Sequence, residues 1–262
     1  MGRRWWIVVA CFWWMTLTVA LAQEKPSRLT YDVVSIRPSL PDATGGGFVD
    51  SLPGGIGYNA ENIPIRVILS VIYRIPLRQI VGGPEWLFSE RFDVQVRADR
   101  PYSIDDLHIM FQNALADRFN LKLHMETKTG PVYVLTVAKS GLRMTPVDPG
   151  RDRNIPIITG PNHESIGSRV PMNYLCFWLS QNLQSDQRQV VDRTGLTGTF
   201  DFKLSFRPQL PPDASADALS PELENLPSIF DAVRDQLGLE LTPQKGPVET
   251  LIVDHVEKPS EN

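Results

Sequence analysis

The chain has 262 residues, with 26 lysines and arginines against 30 aspartates and glutamates, for a net charge of −4. That mild acidity lacks the basic surplus needed to hold phosphate backbones, so nucleic acid is excluded as an expected partner. The length suffices for one large domain or two small ones.

The first segment, MGRRWWIVVACFWWMTLTVALAQ, places Arg3 and Arg4 before an apolar run from Trp5 to Leu21 and ends in the small-x-small triplet Ala20-Leu21-Ala22. This reads as a secretory signal over residues 1–22, cleaved between Ala22 and Gln23, with a periplasmic or extracellular destination. The rival reading is an uncleaved membrane anchor, since the run approaches the length of a span. Cleavage leaves no transmembrane segment, moves the net charge from −4 to −6 and removes Cys11. Cys176 is then alone, which rules out an intramolecular disulfide. Its apolar neighbours in a predicted helix make it a buried, inert thiol.

In chain order, "LTYDVVSIRPS" (29–39) predicts a strand and "DATGGGFVDSLPGGIG" (42–57) a glycine-rich loop or hairpin. "IPIRVILSVIYRI" (63–75) predicts a helix with Ile65, Ile68, Leu69 and Ile72 on one stripe. "RFDVQVRA" (91–98) alternates Phe92, Val94 and Val96 with polar residues, as a half-buried strand does. A helix begins at "SIDDL" (103–107), where Asp105 and Asp106 complement its positive end. It stops at Asn120; strands then flank a turn at Gly130-Pro131.

The same order recurs. "VPMNYLCFWLSQN" (170–182) matches the first helix, with Met172, Leu175, Cys176 and Leu179 on the stripe and Pro171 in the place of Pro64. "TFDFKLSF" (199–206) matches the strand through Phe200, Phe202 and Leu204. "IFDAVRDQLGLEL" (229–241) matches "FQNALADRFNLKL" (111–123), and "GPVETLIV" (246–253) matches "GPVYVLTV" (130–137). Pro64 to Phe92 spans 28 residues and Pro171 to Phe200 spans 29, so the blocks keep register. The expected organisation is α+β: two tandem helix-strand-strand-helix-strand-strand units, each with helices packed on a small, mostly antiparallel sheet. The first unit with its extra strand covers 23–146, a connection covers 147–168, and the second unit covers 169–262. A proline-rich acidic excursion at 207–227 reads as solvated. Whether the units stand apart or share one sheet is open at this level.

Candidate binding residues cluster in the turn "DRTGLTG" (192–198). Gly195 and Gly198 with Arg193 and Thr194 have the makings of an anion-binding nest. The simpler reading is a turn in which glycine accepts positive φ and Asp192 caps amides. Trp86, beside the turn Gly82-Gly83-Pro84, is a second candidate, a stacking platform or more simply a packing anchor. The four histidines, His108, His124, His163 and His255, form no zinc motif, and no G-x-S-x-G elbow marks a serine nucleophile. No metal or cofactor is expected. Lys128 and Lys245 are read as basic residues at hairpin turns.

At "VVDRTGLTGTFDFKLSF", "LADRFNLKLHMETKTGPVYVLTVAKSG" and "DQLGLELTPQKGPVETLIVDHVEKPSEN" the chain resembles a family of secreted proteins expanded in soil, chiefly acidobacterial, genomes and known by a domain-of-unknown-function label. "YDVVSIRPS" and "IVGGPEWLFSERFDV" fit the same pattern. The resemblance implies no established activity and transfers no functional residue. Related domains joined to membrane metallopeptidase sensors suggest extracytoplasmic recognition by analogy. The repeated unit is also similar in pattern to the short N-terminal domain of secretins and TonB-dependent receptors. The expected function is a non-enzymatic envelope module binding a protein or small ligand. The alternative is a secreted hydrolase of cell-wall or polymeric substrates, which requires Glu85, Glu90, His124, Asp192 or His255 to converge in one cleft.

Overall fold

Alternating apolar and polar residues build two four-stranded antiparallel sheets. In the first, β1 (Val33–Pro38) pairs with β5 (Arg91–Arg97), β5 with β3 (Gly57–Pro64), and β3 with β2 (Phe48–Ser51). In the second, β7 (Thr145–Val147) pairs with β11 (Thr199–Ser205), β11 with β9 (Glu164–Pro171), and β9 with β8 (Ile157–Thr159). Phe92, Val94 and Val96, like Phe200, Phe202 and Leu204, point into the cores as the alternation predicts. This computed structural model describes residues 28–40, 47–149, 156–160, 164–183, 188–209 and 220–259. The expected signal at 1–22, residues 210–219 of the acidic excursion and His163 lie outside them.

A bulge joins strand to helix at one place in each sheet. Asn62 and Arg169 have φ of 52° and 49°. Their amides donate to carboxylates on the facing strand, Asn62 to Asp93 at 3.0 Å and Arg169 to Asp201 at 2.7 Å. The extra residue bends the strand, and Pro64 or Pro171 then caps a helix: α1 (Ile65–Tyr73) or α4 (Met172–Asn182). The predicted stripes of both helices are buried.

A 3-10 turn (Leu77–Gln79), β4 (Ile80–Gly82) and α2 (Trp86–Ser89) lead from α1 to β5, while β10 (Gln189–Asp192) leads from α4 to β11. The next helices are α3 (Ile104–Arg118), then the short α5 (Pro221–Glu224) and α6 (Ile229–Ala232), the last continued by a π turn (Val233–Leu237). At α3 and α6 a serine caps the third amide of the helix and donates to that residue's carboxylate: Ser103 with Asp106, Ser228 with Asp231. Both segments stop in the left-handed region, at Asn120 (φ 46°) and Gly238 (φ 68°), as predicted.

Beyond these two stops the chain departs furthest from expectation. The predicted turns at Gly130-Pro131 and Gly246-Pro247 are absent. β6 (Lys122–Val137) and β12 (Leu239–His255) run through them as strands of 16 and 17 residues. They pair antiparallel about Gly130 opposite Gly246. A β-carbon on Gly130 would lie 2.9 Å from Val248, and one on Gly246 would lie 2.8 Å from Val132, so the glycines admit cross-strand valines rather than a reversal. Proline is tolerated because β10 adds to β6 only from Val132 and β4 adds to β12 only from Leu251. Lys128 and Lys245 therefore lie mid-strand. The expected connection at 147–168 also contains β8 and the start of β9.

The central sheet, in order β10-β6-β12-β4, draws strands from both halves of the chain, with the outer pairs parallel. The whole is α+β with small antiparallel sheets. Two cores result, and each borrows: Leu251 and Val253 join the first, Tyr133 and Leu135 the second.

Candidate functional site

The first helix ends without a glycine. Arg74 takes φ 53° and ψ 39°, its amide donating to the Val71 carbonyl at 3.3 Å, and the Ile75 amide donates to Ser70 at 3.1 Å. This double closure usually recruits glycine because a β-carbon crowds the left-handed backbone. The Arg74 Nη2 donates to Asp105 Oδ1 at 2.5 Å, and its Nε is buried without a partner among the described residues. Hydrogen bonds tie this end to α4 and to the entry of β10: Gln181 Nε2 donates to Ser70 Oγ at 3.2 Å, and Arg78 Nη2 donates to the Arg188 carbonyl at 2.8 Å.

A cavity of about 390 Å³ opens where the end of α1, one face of α4, β10 and the middle of β12 meet. Ile75, Pro76, Phe177 and Val190 give it apolar walls, and Asn173 stands exposed at its edge. Ser180 is closed off: its hydroxyl donates to the Cys176 carbonyl at 2.7 Å and accepts the Val190 amide at 2.8 Å. Cys176 is 6% exposed, and burial, then the charge of Asp192, pushes its thiol up to about 12. It is inert, as its surroundings in sequence imply.

Of the predicted binding residues, Asp192 alone lines this cavity. The turn after it uses its own donors. Asp192 Oδ1 accepts from the Thr194 amide and hydroxyl, 2.8 Å each, and Thr194 Oγ1 accepts the Leu196 amide at 3.1 Å. The Arg193 amide donates to Leu135 at 2.9 Å. Gly195 and Gly198, at φ 69° and 89°, supply backbone freedom. The Arg193, Thr194 and Leu196 amides are thus engaged within the protein. Trp86 lies elsewhere as a packing anchor, its ring 6.1 Å from Phe92, 6.2 Å from Phe119 and beneath Lys258.

Of the groups a hydrolase would need, Asp192 alone lines the cavity. His124 Nδ1 meets Asp254 at 2.8 Å, His255 Nε2 meets Glu257 at 2.8 Å, and Lys258 meets Glu90 at 2.6 Å, all on exposed surface. His124 faces Ile252 across the sheet, whereas Asp192 sits beside Leu135. Eleven residues of extended strand separate positions 124 and 135, roughly 36 Å at about 3.3 Å per residue. His108 is buried against the Tyr58 ring in the first core. Among the described residues no group of His, Cys, Asp or Glu gathers as a metal-binding set. No described helix is long and apolar enough to cross a membrane.

Wall residues not singled out from sequence include Arg74, Asn173, Gln189 and Glu249. Only Arg74 carried a local signal, a charge closing an apolar helix just before Pro76. Gln189 is 9% exposed; its Oε1 accepts the Glu249 amide at 3.0 Å, and its Nε2 has no partner among the described residues.

No curated protein and no solved structure matches the chain. Residues 66–256 match the family described as protein of unknown function DUF3738. The matched span leaves out β1 to β3, with the "YDVVSIRPS" strand, and contains the whole cavity wall. Since it covers well over half of the 262 residues, the chain belongs to the DUF3738 family.

Proposed function

We propose that the protein is an exported binding module that seats a small ligand in the cavity between α1 and α4. The observation that carries this reading is the cavity itself. Its 390 Å³ falls within the range of small-molecule sites, roughly 300–1,000 Å³, and its walls combine apolar side chains with convergent polar groups. Export rests on Arg3-Arg4, the apolar run and Ala20-Leu21-Ala22. We further read the halves as copies of one ancestral unit. The four matched blocks support this, as do the like strand orders β1-β5-β3-β2 and β7-β11-β9-β8 and the two bulges closed by Asp93 and Asp201. The ligand seat then arises at the seam between copies.

The test uses the full chain expressed with residues 1–22 in place, with Gln23 expected as the first residue of the exported product. A fragment library screened by thermal shift is expected to give hits that raise Tm. Asn173→Trp, at the exposed edge of the cavity, is expected to abolish them without lowering the unliganded Tm by more than a degree or two. A screen without hits, or hits indifferent to Asn173→Trp, overturns the reading.

A further inference from the structure

Resting on the cavity as a ligand seat, we propose that its ligand is a small primary amine with an apolar body and one oxygen acceptor, such as an amino alcohol or amino amide. Three charged residues line the space: Arg74, Asp192 and Glu249. Arg74 is already matched, since Asp105 holds its guanidinium and its Nε is sealed from solvent. Arg78 is not a wall residue; its guanidinium is engaged by the Ser180 and Arg188 carbonyls. The acids are unmatched. Glu249 has no side-chain partner among the described residues, and Asp192 gives Oδ1 to Thr194 and keeps Oδ2. Two carboxylates on one concave surface without a counter-cation, Asp192 half-buried and Glu249 exposed, favour a cationic guest. The field of Asp192 is felt on that surface, because it helps hold the Cys176 thiol in its neutral form.

Gln189 adds the second half of the ligand description. It is nine-tenths buried, lines the cavity, and has its carbonyl oxygen fixed by the Glu249 amide. Its NH2 group is thereby turned to donate, with no acceptor among the described residues. A hydroxyl or carbonyl on the guest supplies the acceptor that this NH2 group lacks among those residues. Ile75, Phe177 and Val190 provide the apolar contact.

Isothermal titration with four probes separates these claims. Phenylalaninol, with amine, hydroxyl and ring, is expected to bind at least ten-fold more tightly than N-acetylphenylalaninol or 3-phenylpropionate. Phenethylamine, lacking the oxygen, is expected to fall a few-fold below phenylalaninol, and Gln189→Leu to erase that difference. Asp192→Asn keeps the oxygen that Thr194 uses, so the turn survives; with Glu249→Gln it is expected to weaken phenylalaninol ten-fold or more. If the acetylated compound or the carboxylate binds as well as the amine, the cation assignment fails while the ligand seat stands. If no probe binds and the fragment screen is also empty, the seat itself fails. If fragments bind at the cavity but all four probes do not, the amine assignment alone is overturned.

Discussion

His108 shows how one buried group ties folding to pH. Burial, then the nearby Arg74 charge, lowers its pKa to about 4, with Asp105 opposing. An unfolded histidine takes its proton near pH 6.5, whereas this one stays neutral down to about 4. Stability is therefore complete above 6.5 and falls as pH drops through that window, by on the order of 3 kcal/mol. His108→Gln, uncharged throughout, is expected to flatten this loss when urea unfolding is compared at pH 7 and pH 4.5; an unchanged slope would refute the assignment. His124 acts in the opposite sense. Its bond to Asp254 raises its pKa, so its contribution is present below about 6.5 and fades as pH rises through the folded value. None of this was legible in sequence, because Asp254 lies 130 positions from His124 and Tyr58 lies on another element. What was legible at this scale was local: the Asp192 cap on Thr194 and the inert Cys176.

At the scale of elements, periodicity located the helices and half-buried strands, because a stripe or an alternation directly reports which side faces a core. The α3 and α6 starts also carry a readable signal, Ser103 with Asp106 and Ser228 with Asp231. Gly-Pro misled, because the same pair that marks a turn also suits a strand crossing where glycine admits a neighbour's side chain and proline faces a free edge. The strand-to-helix bulge was hidden as well, its residues Asn62 and Arg169 being of unlike type. What the two bulges share is the acceptor, Asp93 or Asp201, inside the aligned strand blocks. Burial would raise the Asp93 carboxyl, but the Asn62 amide, the Ser39 hydroxyl and Arg37 outweigh it and hold the pKa low. Asp93→Ala and Asp201→Ala each strand a backbone amide in a strained turn, at about 1.5 kcal/mol. Urea midpoints should fall by similar amounts in both variants with the slope unchanged. A change in only one of them would show that the bulges are not equivalent.

For the whole molecule, the decisive fact is reciprocity. β4 adds to β12 and β10 adds to β6, so each half of the chain supplies an edge to the long strand of the other. Leu251 and Val253 complete the first core, while Tyr133 and Leu135 complete the second. Each such side chain contributes about 1.5–3 kcal/mol, and two per core are a large share of a typical total of about 5–15 kcal/mol. Matched blocks in a sequence cannot reveal this exchange, since independent and interlocked halves bury the same residues. A chain cut between residues 149 and 156 should therefore yield two fragments, neither showing a cooperative unfolding transition or phenylalaninol binding alone. Mixed, they should recover both, with a single transition of the intact protein's slope. The binding loss is expected because Arg74 and Ile75 come from one fragment and Gln189, Asp192 and Glu249 from the other. A fragment that unfolds cooperatively alone would mean that the borrowed strands decorate a core they do not complete.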